Sequence, residues 1–143
     1  MDVTLALLAD YANVTADGKL NILGVFNTIY ADRFPAVHPQ IHLILRLEMH
    51  PAEIGPPKNV EIRLMTEDGR TVFSISAEVG FQLKDPTKPV GEMIKRDQII
   101  GLQNTRFEKP GTYQFAILVN GETKETVSLK VQERTSAQPT REP

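Results

Sequence analysis

The chain contains no cysteine and no tryptophan in its 143 residues, and aromatic side chains make up only 6% of it. Without cysteine it has no disulfide bonds, no thiolate metal site and no cysteine nucleophile, which fits a reducing compartment. No stretch approaches the ~20 apolar residues of a membrane-spanning helix, so we expect no membrane partner. The net charge of −2 gives no electrostatic support to nucleic-acid binding, so we expect no nucleic-acid partner.

An apolar run near the N-terminus, Val3–Ala9, has the composition of a signal-peptide core. However, Asp2 stands where a signal peptide carries basic residues, and Asp10 ends the run. A first β-strand explains the run better. We therefore expect a cytoplasmic protein.

Three dipeptides, Asp17-Gly18, Asp68-Gly69 and Asn120-Gly121, each separate two runs of alternating apolar and polar residues. Glycine adopts positive φ without steric cost, and Asn and Asp tolerate it better than most residues, so these pairs are typical of tight hairpins. They predict an antiparallel, all-β protein with a single domain over residues 1–132. Residues 133–143 have almost nothing to bury, and we expect them to form a disordered C-terminal tail.

The first hairpin is expected to join strands over about Val3–Val14 and Lys19–Tyr30. A two-residue loop at Asp17-Gly18 would place Tyr11 opposite Gly24, although Gly24 could also mark a bulge that bends the strand. Both faces of this hairpin are apolar, which suits either a central strand pair covered on both sides or an interface. The apolar surplus therefore predicts self-association.

The middle of the chain has the clearest alternation. A strand over Gln40–His50 places five apolar residues on one face, which excludes a helix there. At the second hairpin, a two-residue loop pairs Glu67 with Arg70 and Leu64 with Phe73, so that apolar positions meet across the strands.

The third hairpin favours a different loop. A three-residue loop over Val119–Gly121, with Gly121 left-handed, pairs Tyr113 with Val127 and keeps apolar residues together on the core face. Before it the pattern is less regular: we expect a strand to begin after about Gln98, and Lys95-Arg96-Asp97 to be solvated.

About eight strands at this spacing, with no convincing helix, predict a β-sandwich. Gly111-Thr-Tyr113-Gln-Phe115 resembles the tyrosine corner of immunoglobulin-like domains, in which a tyrosine hydroxyl binds upstream backbone. Phe115 would stand where antibody domains keep a cysteine, and their core tryptophan is missing. We expect an immunoglobulin-like sandwich, with a jelly roll or another Greek-key sandwich as the alternative.

The side chains that could carry chemistry do not form a pattern. His42 and His50 share a strand face, but about 26 Å of strand separates them, so they cannot share a metal ion. His38 and His42 would converge only through an unusual bend. None of the four serines has a base or a nucleophile motif nearby, and no glycine-rich phosphate loop precedes a helix. We expect no catalytic, cofactor-binding or metal-binding residue.

Asp10 is the most unusual residue, because it interrupts the apolar sequence Leu7-Leu-Ala-Asp10-Tyr-Ala12. It could be a ligand-binding or interface acid. A structural role is favoured, because an uncompensated buried carboxylate costs several kcal/mol and must be paired or hydrated.

Four segments give the chain a resemblance over residues 1–132: Ala6–Tyr11, Asp17–Phe26, Phe34-Pro35 and Gly111–Gly121. There the chain resembles an uncharacterised family of small bacterial proteins, a domain of unknown function. The resemblance implies a bacterial, cytoplasmic origin and brings no activity, substrate or catalytic residue.

The sequence thus indicates a non-catalytic β-sandwich module for binding or assembly, which forms homo-oligomers and has a further protein partner of unknown identity. The alternative is a small-ligand or carbohydrate-binding domain, or a hydrolase, with a site in the loops at one end of the sandwich.

Overall fold

The computed structural model describes residues 1–80 and 91–134 of the chain. Within these ranges the protein is a β-sandwich of nine strands, with one short 3₁₀ turn at Pro51–Glu53. The all-β class is confirmed. The strands are β1 (Asp2–Val14), β2 (Leu20–Phe26), β3 (Thr28–Ala31), β4 (Ala36–Met49), β5 (Lys58–Met65), β6 (Thr71–Val79), β7 (Ile94–Phe107), β8 (Gly111–Val119) and β9 (Glu122–Glu133).

The strands form two sheets, with orders β2-β1-β4-β7 and β3-β9-β8-β5-β6. In an immunoglobulin sandwich, strands B and E are neighbours in one sheet, and F lies between C and G in the other. Here β4 and β7 take the places of B and E, and β5, β8 and β9 take those of C, F and G. The immunoglobulin-like prediction is therefore confirmed, with every pairing antiparallel except that of β3 with β9.

The core lies between the sheets and matches the predicted alternation. The apolar face of β4 is almost completely buried, and β5, β8 and β9 supply the opposite layer. The tyrosine corner is present: the Tyr113 hydroxyl donates to the carbonyl oxygen of Lys109 at 2.6 Å, and its ring packs edge-on against Phe107. Phe115 is fully buried. The β4 residues of this core are Ile41, Leu43, Leu45, Leu47 and Met49.

The first hairpin has a different register from the predicted one. Thr15 N donates to the carbonyl oxygen of Lys19 and Gly18 N to that of Thr15, so the loop has three residues rather than two. The additional loop residue moves the pairing by one position, so Tyr11 faces Leu23 instead of Gly24. A one-residue change in a loop has this effect because register follows directly from loop length.

The second hairpin closes in the same way, but its predicted core register is right. Thr66 N donates to the carbonyl oxygen of Arg70, so the predicted pairing of Glu67 with Arg70 is wrong. A shift between Leu64 and Met65 compensates, and Leu64 faces Phe73 as predicted.

The third hairpin has a two-residue loop, and the predicted three-residue loop is wrong. Val119 pairs with Glu122. Asn120 and Gly121 both have positive φ, 49° and 82°, as a type I′ turn requires. A register shift between Ile117 and Leu118 then places Tyr113 opposite Leu129 rather than Val127. Leu129 and Val131 are buried, so the predicted core face of β9 is right.

The predicted single strand over Lys19–Tyr30 is wrong: the chain is divided at Asn27 into β2 and β3, which lie in different sheets. The other differences concern strand ends. β7 begins at Ile94, before the predicted start after Gln98, and Asp97 is not simply solvated, because Arg46 donates to it at 2.8 and 3.2 Å. Glu133 still pairs, with Ala31. The rest of the predicted tail, residues 135–143, lies outside the described residues. The single-domain boundary at residue 132 stays a prediction.

A candidate binding edge on the first hairpin

The first hairpin exchanges its two faces in the middle. Leu8 and Phe26 face each other and contact the main core. Four positions further toward the loop, Ala12 and Ile22 also face each other, but they pack in a separate cluster that contains Ile44. Ile44 lies between two core residues of β4, so its side chain is on the outer face of the sheet. A regular strand would place Leu8 and Ala12 on the same face, but here they lie on opposite faces of the sheet.

The exchange occurs at Asp10 and Gly24, which lie across from each other and are missing from the regular pairing. Gly24 has φ +68°, a conformation that side chains other than glycine rarely adopt. A Cβ atom at this position would lie 2.5 Å from Oδ2 of Asp10. This geometry explains why glycine is present in the strand. Gly24 lies opposite Asp10 rather than Tyr11, and because the register is the same on both sides of this pair, no residue is inserted as in a bulge.

The exchange lets the chain cover part of its own outer face. Ala9, Ala12 and Ile44 are buried there although no second sheet lies over them. This outer cluster accounts for much of the two-sided apolar pattern from which self-association was predicted. Its partly buried members are Leu5, Leu7, Leu20, Ile22 and Ile99.

The apolar residues around Gly24 stay uncovered. Leu23 and Val25, on either side of it, are the most exposed large apolar residues of the described chain, at 64% and 62%. Tyr11, opposite Leu23, is 46% exposed. β2 is also an edge strand, so one side of its backbone has no strand partner within the described residues. We call Tyr11, Leu23 and Val25, together with this free strand edge, the β2 edge.

The β2 edge is attached to the sheet through His42. The ring of Tyr11 packs edge-on against that of His42, with centroids 5.5 Å apart. Nδ1 of His42 donates to the carbonyl oxygen of Asp10 at 3.0 Å, at the point where the faces exchange. The Asp10 side chain is exposed, so it pays no burial cost, in keeping with the structural role favoured for it. These contacts give the exposed Tyr11 ring a fixed support.

A second histidine of β4, His38, also lies near the first hairpin. Its ring is 6.0 Å from that of Phe26 and is half-buried. Burial lowers the pKa of His38 from its usual value, and the negative charge of Asp10 opposes that shift. The imidazole is thus disposed to stay neutral.

The structure describes the possible metal ligands of the sequence and the surroundings of Ser74. Among residues 1–80 and 91–134, no three histidine or carboxylate side chains lie close enough to hold a metal ion. Ser74 donates to Glu61 at 2.7 Å, and Arg63 donates to the same carboxylate at 2.8 and 3.0 Å. The Ser74 hydroxyl, and after it Arg63, lower the pKa of Glu61. A carboxylate held ionised in this way is a weak base, so the group is a surface ion-pair network rather than an activated nucleophile.

The β2 edge belongs to a small immunoglobulin-like sandwich. The family model of DUF6941, a family of unknown function, matches residues 4–132, and the chain belongs to that family. No curated protein matches the chain. No helix of the described residues is long and apolar enough to span a membrane.

Two solved structures show weak likeness to the fold. One is a β-glucuronidase of glycoside hydrolase family 2, at 12% identity and TM-score 0.35, with 65% of this chain and 10% of that chain covered. The other is the Pseudomonas fluorescens alkylpurine DNA glycosylase AlkC, bound to DNA containing an abasic site analogue. It has 18% identity and TM-score 0.37, with 89% of this chain and 30% of that chain covered. The chain therefore spans less than a third of either protein.

Proposed function

We propose that the protein is a non-catalytic binding and assembly module of the cytoplasm, and that it associates with a second copy of itself through the β2 edge. The observation that supports this proposal is the pair Leu23 and Val25. Two strongly exposed branched side chains on a free strand edge are the combination that favours association of edges.

A second copy is the partner that best fits a strand edge. The unpaired N–H and carbonyl groups of an edge strand are satisfied regularly only by another extended backbone. Two identical edges related by a two-fold axis satisfy each other reciprocally. Tyr11 adds a large, fixed aromatic surface of the kind that is enriched at the centre of interfaces.

The test is the oligomeric state of the full chain, by analytical ultracentrifugation across micromolar concentrations. We expect the wild type to be a dimer. Leu23→Lys and Val25→Lys should each weaken dimerisation by at least about tenfold, because each buries a charge at the interface. Val37→Lys is the matched control, since Val37 is 55% exposed but lies on β4. It should leave the dimer unchanged.

Thermal midpoints, measured at concentrations where all four proteins are monomeric, should agree, because these side chains are exposed in the monomer. A wild type that stays monomeric, or an equal effect of Val37→Lys, would exclude this surface.

The absence of nucleic-acid binding is part of the proposal and rests on the small net charge. The alternative, a ligand site or hydrolase site in the end loops, has no cluster of described side chains to support it. A thermal-shift screen with sugars, nucleotides and metal ions would favour that alternative if one of them stabilised the monomer.

A further inference from the structure

An apolar cavity of about 180 Å³ opens along the side of the sandwich, and none of its lining residues belongs to the first hairpin. It lies between β6 and β7, the outermost strands of opposite sheets, which form no ladder with each other. Leu45, Val60 and Ile62 form its buried floor. The rest of its wall comes from Ile75, Ser76, Ala77, Val79, Gln98 and Ile100.

The cavity has a local cause in the sequence. The core-facing positions of β6 are Phe73, Ile75, Ala77 and Val79, of which the first three face apolar residues of β5. Phe73 fills its part of the core and packs against Phe115. Ala77 stands opposite Val60 and has only a methyl group, so space remains between the sheets at that point.

We propose that this cavity binds a small, uncharged, mostly apolar molecule that carries one hydrogen-bonding group. An apolar cavity of about 150 Å³, engineered in another protein, stays dry and takes up benzene or xenon, so this volume suits a ligand of similar size. No charged residue is among the described residues of its lining, so a charged ligand would lose its hydration without a partner.

Gln98 supplies the polar contact. It pairs with Leu45 across the sheet and so lies on the core-facing side of β7. Its amide can both donate and accept, which matches an alcohol or an amide. Arg96, two residues before Gln98 and outside the cavity lining, donates to the carbonyl oxygen of Gly80 at 2.8 Å and so connects β7 to the end of β6. The proposed site is independent of the β2 edge, and neither proposal depends on the other.

The test uses 1-hexanol as the probe and methyl NMR of the isoleucines of the full chain. Hexanol should shift the methyl signals of Ile62, Ile75 and Ile100 in a saturable manner and leave those of Ile29 unchanged. Ala77→Leu fills the cavity and should abolish the shifts. The matched control, Ala16→Leu, makes the same change in the exposed first loop and should preserve them.

Two further measurements separate a site from general apolar adsorption. Gln98→Leu should weaken hexanol about fivefold, the value of one neutral hydrogen bond, and leave toluene binding unchanged. Hexanoate should bind much more weakly than hexanol. The proposal is overturned if the shifts do not saturate or survive Ala77→Leu. It is also overturned if the free protein already shows contacts from other side chains that fill the cavity.

Discussion

The two faces of the first sheet are covered in different ways. On the inner face, β4 residues such as Leu43 and Leu45 lie under a complete second sheet and are fully buried. On the outer face Ile44 is equally buried, but its cover is the sheet's own first hairpin, whose contributing side chains are themselves partly exposed. A sheet with apolar residues on both faces thus does not require a partner for all of them. The apolar residues that stay uncovered are those of the β2 edge, where the hairpin exchanges its faces.

The largest expected effect is in the inner core. Phe115→Ala should lower the free energy of unfolding by about 3–5 kcal/mol, because the surrounding layers cannot close over the lost ring. Urea unfolding followed by circular dichroism measures it. A loss below about 2 kcal/mol would mean that the space between the sheets collapses more easily than a close-packed core allows.

The outer cluster should respond less to a comparable truncation. Ile44→Ala should cost about 2–3 kcal/mol, toward the lower end for a buried isoleucine, because partly exposed neighbours such as Leu20 and Ile99 can move inward. The measurement is the same urea titration. If Ile44→Ala proves as costly as Phe115→Ala, the cover provided by the hairpin is as rigid as the second sheet, and the contrast drawn above is wrong.

The inner face was predictable from sequence and the outer one was not, for a physical reason. Strict alternation in β4 determines which side chains share a face, whatever the partner. The exchange of faces in the first hairpin depends on one backbone conformation at Gly24, and the sequence marks it only by a glycine in an apolar strand. The apolar pattern on both faces was therefore interpreted as evidence of a partner, although part of it results from the exchange of faces within the hairpin.

The loops show a similar limit. Both Asp-Gly hairpins carry a threonine three residues before the glycine, and its hydroxyl oxygen accepts from the backbone N–H of Lys19 or Arg70. That contact closes a three-residue loop. Asn120 tolerates positive φ and permits the two-residue turn. The Thr-x-Asp-Gly pattern was readable, but its effect on loop length depends on a side-chain contact that alternation does not encode.

The exchange of faces can be tested at Gly24. Gly18 has φ +88°, and nothing lies within 4 Å of a methyl group added there. Gly18→Ala should therefore lower the free energy of unfolding by about 1–2 kcal/mol, from backbone strain alone. Gly24→Ala should cost more than Gly18→Ala, because the methyl group also displaces the Asp10 carboxylate. Urea unfolding gives both values.

Asp10→Ala should recover part of the Gly24→Ala cost and none of the Gly18→Ala cost, which makes the pair a double-mutant cycle. Equal costs for the two glycine variants, with no coupling to Asp10, would show that the close approach of Asp10 to Gly24 does not matter for stability.

The smallest expected effect is the pH dependence at His38. Burial lowers its pKa below 6.5 in the folded chain, against the opposing charge of Asp10. As the pH falls through about 6.5, the usual pKa of histidine, His38 is protonated in the unfolded chain before it is protonated in the folded chain. Stability is therefore lost until the pH reaches the lower pKa of the folded chain. Above about pH 7.5 both states are neutral and this residue contributes no slope.

His38→Gln should therefore reduce the loss of stability between pH 7.5 and 5.5, measured by urea unfolding against the wild type. Asp10→Asn should have the opposite effect, because removing the charge lets the folded pKa fall further, and this increase should vanish in the double variant. If Asp10→Asn changes the slope equally with and without His38, the imidazole does not sense the charge of Asp10, and the point where the faces exchange is electrostatically separate from His38.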